Sequence, residues 1–219
     1  RYIDHGKVTA DVFNPDSHIL EINSKTGLYP LYVAYSVYRS RVEAAREKFG
    51  EISLGVAQQL WDATIEQNIL VVCNTPMAKS ITKRTLAGFR DVRVNAQYYP
   101  DLIKNVKENP TVVVNTLKNG KTYWKINNEE NMKIDAVVGN PPYQDLKATA
   151  KAGINSAFAS AVYPQFIELA RKLIPNLEVH VSTQAHNHNE AGISHYKALG
   201  CTRVVFDRES SLEEIKRDM

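Results

Sequence analysis

Short apolar runs rich in β-branched residues alternate along this chain with longer stretches of helical period. That alternation limits the possible fold more than any other feature. "HILEIN" at 18–23, "NILVVCN" at 68–74, "DVRVNA" at 91–96, "IDAVVG" at 134–139, "LEVHVST" at 177–183 and "TRVVFD" at 202–207 read as strands. Between them, "LYPLYVAYSVYRSRVEAAREKFG" repeats Leu31, Ala34, Tyr35 and Tyr38 at helical spacing, with Pro30 in the first turn, where its missing N–H costs little. "VAQQLWDATIEQ" is a second helix. "TPMAKSITKRTLAGF" is a third, with Thr75 as its N-cap, Pro76 at the first helical position and Gly88 near its end. "YYPDLIKNVKEN" reads as a short helix or turn, and residues 111–131 as a polar β excursion reversing at Asn119-Gly120. "SAFASAVYPQFIELARKLIP" sets Phe158, Val162, Phe166, Leu169 and Leu173 on one helical face, and "EAGISHYKALG" is a further helix. Strands taking turns with helices call for an α/β, doubly wound, mostly parallel sheet with helices on both faces.

The 219 residues suffice for one large domain or two small ones, and 43% hydrophobic with 23% charged residues is ordinary for a soluble globular protein. No apolar run approaches the ~20 residues of a membrane span, and no secretory signal opens the chain. Its first residue, Arg1, points to a fragment or a processed chain. Cys73 and Cys201 sit far apart inside apolar runs and read as buried thiols of a cytoplasmic protein. A net charge of +3 permits a polyanionic partner without demanding one.

Within "MKIDAVVGNPPYQDL", residues 132–146, an apolar run feeds straight into Gly-Asn-Pro-Pro-Tyr. Pro141 and Pro142 cannot continue a ladder, so the chain leaves the sheet in a stiff extended turn. That turn holds the amide of Asn140 and the ring of Tyr143 in fixed relation, which suits gripping a flat polar ring. In open parallel sheets, ligands bind outside the carboxyl ends of the strands. The first strand ends in "LEINSKTG", where Glu21 closes the strand and Gly27 ends the turn into a helix. Backbone N–H groups of such a turn can hold a polar ligand tail, and the acid beside them can pair with a cationic amino group. The same segment also reads as an ordinary strand–turn–helix. Lys25-Thr26 looks like the end of a phosphate-binding loop, but the earlier glycine of that loop is absent.

Taken together, "ILEINSKTG" and "GNPPY" resemble the S-adenosylmethionine-dependent DNA adenine-N6 methyltransferases of combined restriction–modification enzymes, over about residues 1–175. The resemblance implies a Rossmann-like transferase with S-adenosylmethionine as cofactor and an adenine in double-stranded DNA as target. Asn140, Pro141, Pro142 and Tyr143 take the places of the catalytic tetrapeptide. Asn140 and the Pro141 carbonyl would accept hydrogen bonds from the adenine amino group, and Tyr143 would stack on the flipped base. The cofactor pattern (acid, Pro, two small residues, Gly, any residue, Gly) falls on Glu21, Ile22, Asn23, Ser24, Lys25, Thr26 and Gly27. Ile22 replaces the proline and Lys25 a glycine. Asn74 stands where the family has an acid for the ribose hydroxyls, and Asp101 where a residue lies near the cofactor's adenine. No target-recognition region of that family is present, so the activity is expected to be incomplete on its own.

The tail fits another template. "HVSTQ", "YKALG" and "RVVFDRESSLEEI" within residues 177–219 resemble a segment of collagenase-like peptidases. One reading makes residues 1–219 a single methyltransferase-like domain whose tail supplies the last strands of the sheet. A second makes the chain a non-enzymatic recombined or engineered α/β scaffold with vestigial motifs. A peptidase-related fragment is a third, opposed by the methylase-like bulk. His180, His186, His188 and His195 cluster in sequence without a metal-ligand pattern, so no metal is expected. Lys79, Lys83, Arg84 and Arg90 read as a solvated helix face, and Trp61 and Trp124 as packing residues.

Overall fold

A computed structural model describes residues 13–119, 133–139, 163–174, 176–177, 179–181, 190–198 and 200–205. The chain order is β1 (Ile19–Ser24), α1 (Leu28–Phe49), α2 (Leu54–Gln67), β2 (Ile69–Cys73), α3 (Pro76–Ala87), β3 (Asn95–Tyr98), α4 (Leu102–Glu108) and α5 (Pro110–Lys118). There follow β4 (Ala136–Val138), α6 (Tyr163–Leu173), β5 (His180–Val181), α7 (Glu190–Ala198) and β6 (Arg203–Val204). By its contacts the chain divides into residues 1–174 and 175–219.

In the first unit, four strands form one sheet in the order β3-β2-β1-β4, and every neighbouring pair is parallel. The chain builds outward from β1 through β2 to β3, then crosses back to lay β4 on the other side of β1. Alternation along the strands sorts the core into two layers. Leu20, Ile22, Leu70 and Val72 pack with Leu102, Val106, Val113, Leu117, Phe166 and Leu169 from α4, α5 and α6. Ile19, Ile69, Val71 and Ala96 pack with Val33, Val37, Ile65 and Leu86 from α1, α2 and α3. Helices therefore cover both faces, which is the doubly wound α/β arrangement the strand–helix alternation requires.

The helix boundaries follow local chemistry. The Ser53 hydroxyl accepts a hydrogen bond from the Val56 amide at 3.3 Å and starts α2 two residues before the first residue expected from the sequence. Thr75 caps α3 through the Ala78 amide at 3.0 Å, with Pro76 in the first turn as anticipated. At the rim where the strands begin, Asn68 Nδ2 donates to the carbonyls of Pro15 and Ser17, both at 2.8 Å. The Arg41 guanidinium donates to Pro15 O and to Asn68 Oδ1, both at 2.9 Å. These bonds tie α1, the strand-leading segment and the α2–β2 joint together at the amino ends of the strands.

One element overturns its expectation. Residues 110–118 are helix α5, where a β excursion was anticipated from residue 111. The three consecutive valines favour strand locally. Yet Pro110 at the helix start supplies the right φ, and Val113, Val114 and Leu117 gain burial at helical spacing against the core. Asn119 closes this helix, and Gly120, the second residue of the expected hairpin turn, lies outside the described residues. β3 also begins later than anticipated, at Asn95, because pairing with β2 matches Leu70 to Asn95 and Cys73 to Tyr98.

In the second unit, β5 pairs in parallel with β6, His180 opposite Arg203 and Val181 opposite Val204. The sequence reading has these strands extend the main sheet; among the described residues they pair with each other. No helix among the described residues is long and apolar enough to cross a membrane.

Leu20 is the second residue of β1 and is fully buried. Leu20→Ala is expected to lower stability by about 3 kcal/mol, read as a shift of the urea midpoint at unchanged slope.

Candidate active site at the carboxyl ends of β1 and β4

Because all four strands of the main sheet run parallel, their carboxyl ends share one rim. β1 is the strand at which the sheet order reverses, and the crevice beside such a strand is where ligands bind in open α/β sheets. Every residue of β1 is buried, including Glu21, which is only 4% exposed. By alternation Glu21 shares the face of Ile19, beneath α1 and α3.

After Ile22 the strand buckles. The register with β2 slips between Ile22 and Ser24, and Asn23 adopts a left-handed conformation with φ 70°. Asparagine tolerates that region better than most side chains. The chain then turns through exposed Lys25 and Thr26 to Gly27, also left-handed at φ 77°, and enters α1. A Cβ on Gly27 would stand 3.0 Å from Thr82 Cα and 3.2 Å from Thr85 Cβ, so α3 is pressed against the back of this turn. No side chain caps α1 and no acid occupies its first turn.

β4 reaches the same place from the other side. Its residues pair Ala136 with Ile19 and Val138 with Glu21. A Cβ on Gly139 would lie 2.9 Å from the Ile22 carbonyl oxygen and 3.9 Å from Glu21 Cγ. Only glycine lets the chain pass there, and the residue that follows is Asn140. Asn140, Pro141, Pro142 and Tyr143 themselves lie outside the described residues.

Glu21 Oε2 is buried and has no hydrogen-bond partner among the described residues. Burial pushes the Glu21 carboxyl up to about 7, against a smaller downward pull from the Ser24 hydroxyl. Burial likewise pushes the Cys73 thiol up to about 11, with Thr82 opposing, so this thiol is protonated at neutral pH and unsuited to nucleophilic work. Its Sγ lies 3.8 Å from Thr82 Oγ1.

The remaining predicted residues occupy the same rim. Asn74 is half-buried directly after β2. Asp101 is exposed after β3, at the start of α4, with φ 50° and no side-chain bond to the helix it precedes. The structure thus gathers Glu21, Asn23, Ser24, Lys25, Thr26, Gly27, Asn74 and Asp101 along the ends of three neighbouring strands. Sequence reasoning missed Gly139, Thr82 and Thr85. Gly139 is visible in hindsight as the glycine between an apolar strand and the diproline; the two threonines carry no sequence signal.

Other candidates are quieter. An open groove of about 570 Å³ is lined by Tyr38, Leu54, Ala57, Gln58, Trp61 and Arg90. There Arg90 is paired with Asp62, and Trp61 Nε1 donates to Leu86 O at 3.1 Å. Trp61 is a packing residue, as read from the sequence; Trp124 lies outside the described residues. Among the described residues no three His, Cys, Asp or Glu side chains gather as metal ligands, and His186 and His188 lie outside them.

The buried carboxyl has a defined pH signature. The folded chain holds the Glu21 proton up to about pH 7, whereas the unfolded chain loses it near 4.5. Between these values the unfolded state binds fewer protons, so this group lowers stability as pH rises and its full cost, about 3 kcal/mol, is present above 7. Glu21→Gln is therefore expected to be more stable than the parent by about that amount at pH 8 and equal to it at pH 4. Urea unfolding at the two pH values measures the difference.

Comparison with known proteins follows the same lines. Residues 67–192, more than half of the chain, match the family described as Eco57I restriction-modification methylase. The match begins after β1 and runs into the tail, whereas the sequence resemblance was placed over about 1–175. The chain is also 37% identical over 73 residues to tRNA hydroxylation protein P of Escherichia coli (strain K12), covering 33% of this chain and 16% of that protein. It is 42% identical over 52 residues to tRNA hydroxylation protein P of Haemophilus influenzae, covering 24% and 11%. The chain thus spans less than a fifth of the length of these curated relatives. No solved structure matches it. With its parallel sheet, its reversal at β1 and more than half its length matched, the chain belongs to the Eco57I restriction-modification methylase family.

Proposed function

We propose that this chain is the catalytic domain of an S-adenosylmethionine-dependent DNA adenine-N6 methyltransferase. The observation that supports this most is the contact of β4 with β1. Gly139 leaves no room for a Cβ against the Ile22 carbonyl and lies close to Glu21, and the next residue in the sequence is Asn140. A methyl-donor pocket and an adenine site on neighbouring strand ends need that adjacency.

The residues fit the cofactor. Glu21 Oε2, buried and unpartnered among the described residues, suits the ammonium of the methionyl end. The Ser24–Gly27 turn, free of a Cβ at Gly27, would face the same end. Asn74 would bond the ribose hydroxyls, and Asp101 would lie near the adenine. Lys25 and Ile22 depart from the family pattern without filling the turn, since Lys25 is exposed and Ile22 is buried in the opposite core layer. When bound, S-adenosylmethionine supplies an activated methyl group on a sulfonium. Asn140 and the Pro141 carbonyl accept the hydrogen bonds of the target amino group and raise electron density on its nitrogen. Tyr143 stacks on the extruded base, offsetting part of the unstacking cost.

A second reading, a recombined scaffold with vestigial motifs, is favoured by the division of the chain after residue 174 and by the tail's likeness to a segment of collagenase-like peptidases. Melting curves separate the two. At ~100 times its dissociation constant, a ligand of the folded state adds about 2.7 kcal/mol. S-adenosylmethionine is expected to raise the melting temperature of the parent, and no shift at millimolar ligand would refute the methyltransferase reading. Asn140→Ala is expected to keep cofactor binding while losing at least ~100-fold in adenine methylation of a DNA duplex. Because only the ionised Glu21 pairs with an ammonium, cofactor affinity is expected to rise with pH through about 7 in the parent and to stay flat in Glu21→Gln. Calorimetry at pH 6 and 8 tests this.

A further inference from the structure

We propose that Thr82 and Thr85 on α3 are positioning residues that hold the cofactor turn from behind and set the depth of its pocket. This deepens the cofactor reading above and rests on it.

Three contacts carry the inference, each on a different residue of the turn. Thr85 Oγ1 donates to the Thr26 carbonyl at 2.7 Å. The same hydroxyl lies 3.1 Å from Ile81 O, the carbonyl one turn back in its own helix. Threonines in helices ordinarily bond that carbonyl. A hydroxyl has one proton, and here the shorter contact is the one to the turn. Thr82 is fully buried, and its Oγ1 lies 3.4 Å from the Ser24 hydroxyl. Finally, the space that a side chain on Gly27 would need is occupied by Thr82 Cα at 3.0 Å, Thr85 Cβ at 3.2 Å and Thr82 Cγ2 at 3.3 Å. Ser24, Thr26 and Gly27 are thus each held by α3, between a left-handed Asn23 and a left-handed Gly27. Residues 25 and 26 are exposed and bury little to fix themselves. The direction of the turn's backbone amides is therefore set by α3, and with it the place of any group they bind.

Thr85 is half-buried and belongs to neither core layer, so it can be substituted without disturbing the core. Thr85→Val keeps the shape and removes the donor, while Thr85→Ser keeps the donor and removes a methyl. Calorimetry with S-adenosylmethionine should show binding weakened about fivefold in Thr85→Val and restored to within about twofold of the parent in Thr85→Ser. The three melting temperatures should agree to about 2 °C. A Thr85→Val protein that binds as tightly as the parent overturns the proposal, as does a loss of affinity that the serine does not restore. If the parent binds no S-adenosylmethionine, the cofactor reading fails by itself. The clamp is then decided by amide hydrogen exchange of residues 24–30, which must be several-fold faster in Thr85→Val than in the parent and Thr85→Ser. Equal exchange overturns it.

Discussion

Parallel pairing of β1 with β2 on one side and β4 on the other is the constraint from which the rest of this structure follows. A strand flanked on both edges and covered on both faces favours apolar residues, and β1 supplies Ile19, Leu20 and Ile22, with Glu21, Asn23 and Ser24 as its buried polar exceptions. Its two neighbours come from opposite directions of chain growth. The carboxyl ends of β1 and β4 therefore lie side by side at one rim, with α1 packed on one face of the sheet and α6 on the other. Bonds from Arg41 and Asn68 tie elements together at the other rim.

That architecture explains why one carboxyl is expensive. A glutamate on an exposed edge would ionise freely; on the central strand it is desolvated and holds its proton to near neutrality. A fold with no use for the charge is better off with an apolar residue there. The proposed cofactor role would give that cost a context, because an ionised Glu21 could pair with the ammonium of the methionyl end. Nearby departures from local preference share the location. Asn23 is left-handed, Gly27 admits no side chain, and Gly139 sits hard against a neighbouring carbonyl. Each gives up backbone freedom or side-chain packing within one short arc of the sheet.

The sequence was most legible where burial and period agree. β1, β2, α1 and α3 fall within a residue or two of their expected limits because periodic apolar residues, a threonine cap and Pro76 all point the same way. It misled at α5, where three valines speak for a strand and long-range packing of Val113, Val114 and Leu117 overrules them. At the site, Gly27 was readable as the glycine that ends the turn into a helix, whereas Glu21, expected to close the strand, stands inside β1, which runs on to Ser24. Asn140–Tyr143 lie outside the described residues. The threonines of α3 were not readable, since nothing local distinguishes a threonine that bonds its own helix from one that bonds a turn 59 residues away.

The amino-acid sequence by itself determined the alternation of strand and helix, the buried face of most elements and the turn that leaves β1 through Gly27. These depend on side-chain period, caps and prolines, all short-range properties. Only the tertiary structure decided that β4 lies beside β1, that Gly139 touches Ile22 and that α3 braces the turn. Strand order and close approach depend on which distant surfaces fit when both faces of the sheet are covered. Residue spacing along the chain does not encode that fit.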